Sequence, residues 1–258
     1  MRLYISSVFE SHVPFERKLE LCKGVHILHS FAYYKPQWDP LFEVCKTVLV
    51  DSGAFTVMTK ALKGKLSSFD FMAYTKKYAN FIKKYNLDNF IELDVEGASG
   101  FQTYKDCLHC LQDITGKDPI YVYHKWRGIE YYKELVKRHK WVALGDVDVL
   151  TRNTGQEDYF PWMVNYAHKY GCRVNGLAFT KLKDLEWIPF DSVDSSTWTS
   201  ISRFATVHDF NGHNLWKTDC KRSKNGALIS DSAKLMEYSL KQWVQLSKYY
   251  DREYMPIW

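Results

Sequence analysis

Eight short apolar runs recur along the chain, each followed by a polar or amphipathic stretch, and this alternation constrains the fold more than any other feature. The runs are LYISSV (3–8), HILHSF (26–31), TVLVDSG (47–53), NFIELDV (89–95), PIYVYH (119–124), WVALGD (141–146), RVNGLAF (173–179) and SVDSSTW (192–198). Helical periodicity is clearest over 67–84, 101–115, 128–139, 156–170 and 232–250. Ser67 and Ser68, with Asp70 close behind, offer an N-cap to the first of these, and Gly171 fits the position just past the end of the fourth. Strands that alternate with helices imply parallel pairing through crossovers. About eight such units within roughly 200 residues fit a single closed (β/α)8 TIM-like barrel. A doubly wound open sheet is the competitor, but no GxGxxG follows the first strand. The expected organisation is one barrel domain over 1–258, with 199–258 as a C-terminal extension packed on the barrel.

With 258 residues and 46% hydrophobic content, the chain can bury one sizeable core. The net charge of +5 permits a polyanionic partner without requiring one. The start, MRLYISSVFE, has no charged region followed by an apolar one, and no apolar run approaches the roughly 20 residues that span a bilayer. A soluble, cytoplasmic protein with its 6 cysteines reduced is the expectation. Cys107 and Cys110 form a CxxC on a helical pattern, but no second pair stands at zinc-site spacing, so two small residues on a helix are the simpler reading.

In a barrel of this kind, chemistry sits where the strands end. Those ends carry Asp51, Asp94, His124, Asp146 and Asp194. Any one of them is equally a helix cap or an ion-pair partner, but together they would ring one mouth with carboxylates. Neighbouring carboxylates push each other's pKa values apart, which suits glycosidic chemistry: one attacks an anomeric carbon and another protonates the leaving group. The same residues equally suit a divalent-metal site of a barrel hydrolase. Spacing does not separate the two.

The motifs at these ends resemble a known family. VLVDSGAF (48–55) resembles the DSGGF signature of tRNA-guanine transglycosylases. FIELDV (90–95), WVALGDV (141–147) and FDSVDSSTW (190–198) are similar, in the same order, to the family strands that read the base and carry the nucleophile. The resemblance spans about 50–200. It implies that Asp194 is the nucleophile on C1′ of the nucleoside, with Asp191 as the competing candidate, and that Asp51 is the general acid/base. It also implies substrate contacts from Asp94, Ser52, Gly53, Phe55, His124, Gly145 and Asp146. The reaction calls for no cofactor and no catalytic metal, and the tRNA enzymes of the family dimerise.

The zinc-binding CxCxxC of the tRNA enzymes has no counterpart here, the chain is much shorter, and PTR is replaced by SST. These departures make the sequence more similar to the short, mostly viral DNA-modifying (DpdA-like) branch, which exchanges guanine in DNA for a free 7-deazaguanine base. DNA is then the expected partner, with tRNA as the alternative. A guanine in a duplex has to be flipped out before a pocket closes on it. Lys125, Arg127, Arg152, Lys217, Lys221 and Arg222 are candidates for phosphate contact. A metal-dependent hydrolase and a non-catalytic nucleic-acid-binding protein are the readings from other classes.

Overall fold

The structure is a computed structural model that describes residues 1–62, 69–145, 159–179, 181–200, 206–220 and 231–254. Seven of the eight apolar runs form strands: β1 (Arg2–Ser6), β2 (His26–Ser30), β3 (Thr47–Asp51), β4 (Tyr121–Tyr123), β5 (Trp141–Leu144), β6 (Arg173–Gly176) and β7 (Ser192–Ser195). They make one curled, all-parallel sheet in the order β3-β2-β1-β7-β6-β5-β4.

The eighth run, 89–95, departs from the expected closed eight-strand barrel. It joins the two edge strands only by isolated bridges, Val50 with Phe90 and Ile91 with Ile120. Four main-chain bonds hold it: Val50 N–H to Asn89 O (2.9 Å), Ile91 N–H to Val50 O (2.8 Å), Ile120 N–H to Phe90 O (2.8 Å) and Glu92 N–H to Ile120 O (3.0 Å). The next ladder bond is replaced by a side chain, because Val122 N–H donates to Glu92 Oε1 at 2.7 Å. The other oxygen, Glu92 Oε2, accepts from Tyr104 OH at 2.8 Å. A carboxylate that stands in for a carbonyl ends the regular strand there.

The helices cover the outer face. They include α1 (Phe15–Leu21), α2 (Asp39–Val44), α3 (Ala54–Leu62), α4 (Phe71–Lys84), α5 (Glu96–Ser99), α6 (Phe101–Thr115), α7 (Ile129–Arg138), α8 (Tyr159–His168) and, in the tail, α9 (Ser232–Glu253). The cap of α4 is Asp70, whose side chain accepts from Ala73 N–H at 2.8 Å, while Ser67 and Ser68 lie outside the described residues. Gly171 has φ +69 and ends the turn after α8, where Cys172 N–H returns to Ala167 O at 3.1 Å. The tail adds an antiparallel hairpin, β8 (Thr206–Phe210) with β9 (Leu215–Asp219). Helix α9 lies against the sheet, where Ser247 Oγ donates to Leu3 O and buries Leu240, Trp243 and Leu246 in the same core as Leu3 and Ile5.

The two-residue period of each strand sorts its side chains. Val48 and Val50 pack outward on Tyr78, Ala79 and Ile82 of α4. Leu49 faces the other way, into a separate apolar cluster with Tyr4, Leu28, Ile91, Val122 and Ala143. That inner face is apolar low down and turns polar toward the strand ends.

Glu92 ties two edges and a helix together, and its removal strands two buried donors. At about 1–3 kcal/mol for each unsatisfied group, Glu92→Ala is expected to lower unfolding free energy by several kcal/mol in urea titration. Glu92→Gln, which keeps an acceptor for Val122 N–H, is expected to cost much less.

Candidate active site at the strand ends

The inner-face parity decides which residues meet. Asp51 continues the side of Leu49, His124 that of Val122, Gly145 that of Ala143 and Ser6 that of Tyr4. Asp194 pairs in register with Tyr4, and Asn175 with Ala143, so both share that face. The strand ends therefore bring Asp51, His124, Gly145 and Asp194 to one end of the sheet, and Asp94, beyond the bridging segment, joins them through His124.

Asp194 is 6% exposed and is held by three donors. Ala178 N–H (3.1 Å) and Ser6 Oγ (3.4 Å) donate to Oδ2, and Asn175 Nδ2 (3.4 Å) donates to Oδ1. The amide of Asn175 is itself fixed, since its Oδ1 accepts from Ser192 Oγ at 2.6 Å. Two non-glycine residues with left-handed backbone flank this cradle, Ser7 (φ 63) and Ala178 (φ 53). Such conformations are disfavoured in side-chain-bearing residues and persist where the surroundings impose them. Ala178 uses its conformation to aim an N–H at the carboxylate. Burial pushes the Asp194 carboxyl up to about 7; its donors pull it back, and the charge of Asp51 raises it further. Asp51 is partly buried and accepts from Gly53 N–H at 3.0 Å, and burial raises its carboxyl as well.

Asp191, the competing nucleophile, lies at the opposite end. It precedes β7, accepts from Val174 N–H (2.5 Å) and pairs with His168 Nε2 (3.0 Å). It lines a cavity of about 580 Å³ with Arg173, Trp187 and Pro189, which holds none of the strand-end carboxylates. Its geometry is that of a backbone anchor.

Asp94 and His124, expected as separate base contacts, are bonded to each other through Asp94 Oδ2 and His124 Nε2. The His124 ring lies over Gly145, where an added Cβ would come within 2.7 Å of Cε1. Gly145 thus makes room for the imidazole. Gly53 has φ +79, and a Cβ there would stand 2.5 Å from Ala32 Cβ, so only glycine fits. Ser52 is buried and donates from Oγ to Glu92 O at 2.8 Å, a scaffold role. Phe55, at the start of α3, is 80% exposed. Glu92 is pushed up to about 7, by burial first and then by Asp94.

Of the cationic candidates, Lys125 is exposed. Arg127 is internal: its Nη2 bonds Glu96 Oε2 at 2.5 Å and stands 3.5 Å from Asp94 Oδ1. Its guanidinium also lies 4.9 Å from the Tyr104 ring. A side chain so engaged anchors the loop rather than a phosphate. Lys217, on β9, is exposed. Asp146, Arg152, Lys221 and Arg222 lie outside the described residues.

Ser6, Asn175, Ala178 and Glu92 were not anticipated. Ser6 and Asn175 carry a signal, polar side chains at inward positions of apolar strands. The left-handed backbone of Ala178 has none. Among the described residues no three His, Cys, Asp or Glu side chains are grouped to hold a metal ion. No described helix is long and apolar enough to cross a membrane. No protein-family model matches the chain, and no curated protein matches it.

The raised carboxyl of Asp194 makes stability depend on pH. The folded state retains a proton there that the unfolded chain, with an ordinary aspartate near 4, has already lost. The resulting stabilisation is complete below about pH 4 and disappears as pH rises through about 7. Asp194→Asn removes the buried charge, so it is expected to melt several degrees above the wild type at pH 8, with the gap closing toward pH 4 in thermal scans.

Proposed function

We propose that the chain is a base-exchange glycosyltransferase that replaces guanine in nucleic acid, DNA before tRNA, with a 7-deazaguanine. The observation that carries this reading is the pairing of Asp194 and Asp51 on one inner face, each raised by burial and with Asp51 raising Asp194. A carboxylate near its own pKa at neutral pH, steadied by Ser6, Asn175 and Ala178, suits a nucleophile that has to leave again. Asp194 forms a bond to C1′ as the C1′–N9 bond breaks, and the electron pair of that bond goes to the departing guanine. Asp51 delivers a proton to the leaving base and takes one from the incoming 7-deazaguanine, which attacks C1′ and releases Asp194. The Asp94–His124 pair supplies the polar edge for the base, and the exposed ring of Phe55 supplies its face.

The fold belongs to the same proposal. We read 89–93 as an eighth, irregular strand that completes a (β/α)8 barrel, supported by its bonds to both edge strands. The likeness of VLVDSGAF and its companion motifs to tRNA-guanine transglycosylases supports the chemistry.

Trapping on denaturing gels tests the proposal. With guanine-containing DNA and no added metal, the wild type is expected to give a covalent band. Asp194→Asn is expected to lose it. Asp191→Asn, in which the amide oxygen still accepts from Val174 N–H, is expected to keep it. A band with tRNA alone assigns the chain to the tRNA branch, and no band with either acid overturns the reading. Because the nucleophile acts ionised, the rate of adduct formation is expected to rise close to tenfold per pH unit below about 7 and to level above it.

A further inference from the structure

The loops that leave the sheet after β2, β3, the 89–93 segment and β4 are neighbours around the mouth, and each presents an exposed ring. Tyr33 is 46% exposed, Phe55 80%, Phe101 57% and Trp126 60%. Contacts within and between the loops position three of these rings. Tyr33 OH lies 3.5 Å from Thr56 Oγ1, next to Phe55. Trp126 stacks beside His124 with planes 17° apart. The Arg127 guanidinium sits 5.2 Å from the Trp126 ring and 4.9 Å from Tyr104, whose ring is 6.4 Å from Phe101. Exposed lysines belong to the same loops: Lys105 Nζ stands 5.2 Å from the Phe101 ring, Lys125 precedes Trp126 in the chain, and Lys35, two residues after Tyr33, lies over the Trp38 ring at 5.3 Å. Three carboxylates on these loops are already engaged. Glu96 is held by Arg127, Asp94 by His124, and Asp39 by Tyr34 and Tyr85.

We propose that this arc is a stacking track for an unpaired stretch of nucleic acid flanking the nucleotide in the mouth. The occupant follows from the chemistry of the arc. Single rings on separate loops, with no large aliphatic side chain exposed among the described residues and with lysines on the same loops, match planar bases alternating with phosphates. They match an apolar protein face poorly. Paired bases have both faces covered by neighbours, so the track takes a single strand. The site takes about one base per ring, and stacking of that kind tolerates any base. The proposal deepens the nucleic-acid reading above and rests on it for what occupies the mouth.

The test uses a fluorescein-labelled oligo(dT), which contains no guanine and engages none of the exchange chemistry. Anisotropy at low salt is expected to report binding that salt weakens. Phe101→Ser and Trp126→Ser, both at exposed positions, are each expected to weaken it about tenfold. Lys125→Gln is expected to reduce the salt slope by about one. Asp191→Asn, at the opposite end of the sheet, is expected to bind oligo(dT) like the wild type, and duplex dA·dT is expected to bind more weakly than the single strand. Circular dichroism melts confirm that the ring variants are folded. The track is overturned if oligo(dT) does not bind, if the ring variants bind it unchanged, or if a chito-oligosaccharide binds with the same ring dependence. Ring-dependent oligo(dT) binding without a guanine-DNA adduct leaves the track standing and removes the transfer reaction. An adduct without ring dependence does the reverse.

Discussion

The bond from Val122 N–H to the Glu92 carboxylate sets the register of everything above it. It joins the segment after β3 to β4 at the point where main-chain pairing runs out. Two residues farther along each side stand Asp94 and His124, which meet because Glu92 and Val122 have been fixed two positions earlier. Arg127 and Glu96 then close the same seam. A buried carboxylate is costly unless its oxygens are satisfied. Here one oxygen has the backbone and the other has Tyr104. The strand-end face is thus built on a polar group that a strand pattern would place at the surface.

The same economy of buried charge runs through Asp194. Its desolvation destabilises the folded state at neutral pH, and its donors recover only part of that. Stability is therefore given up at the position where a nucleophile would act, a trade common at sites that perform chemistry. The left-handed backbone at Ser7 and Ala178 is a second cost at the same place.

Much of this was legible beforehand, for identifiable reasons. Apolar runs bounded by turn residues mark buried parallel strands strongly, so each of the eight ranges overlaps one of the seven strands or the bridging segment, most running a few residues past its end. Helix α6 spans the range its periodicity gives, 101–115. The irregularity at 92 was hidden because a glutamate in FIELDV reads as one more strand residue until its partner is known. Asp191 and Asp194 were indistinguishable as letters three apart. The strand that separates them sends one to each end of the sheet. Arg127 read as a surface cation because nothing local announces that Glu96 and Tyr104 enclose it. The cradle of Asp194 draws on β1, β6 and the turn after it, contacts that only tertiary structure assembles.

Arg127 has a mechanical consequence. By bonding Glu96 and lying across Tyr104 and Trp126, it welds the loop after β4 to α5 and the start of α6. Moving either segment alone would part a buried guanidinium from Glu96 and leave Asp94 with His124 alone. This flank of the mouth is a fixed jaw. A ligand of the kind proposed would meet this flank as the anvil.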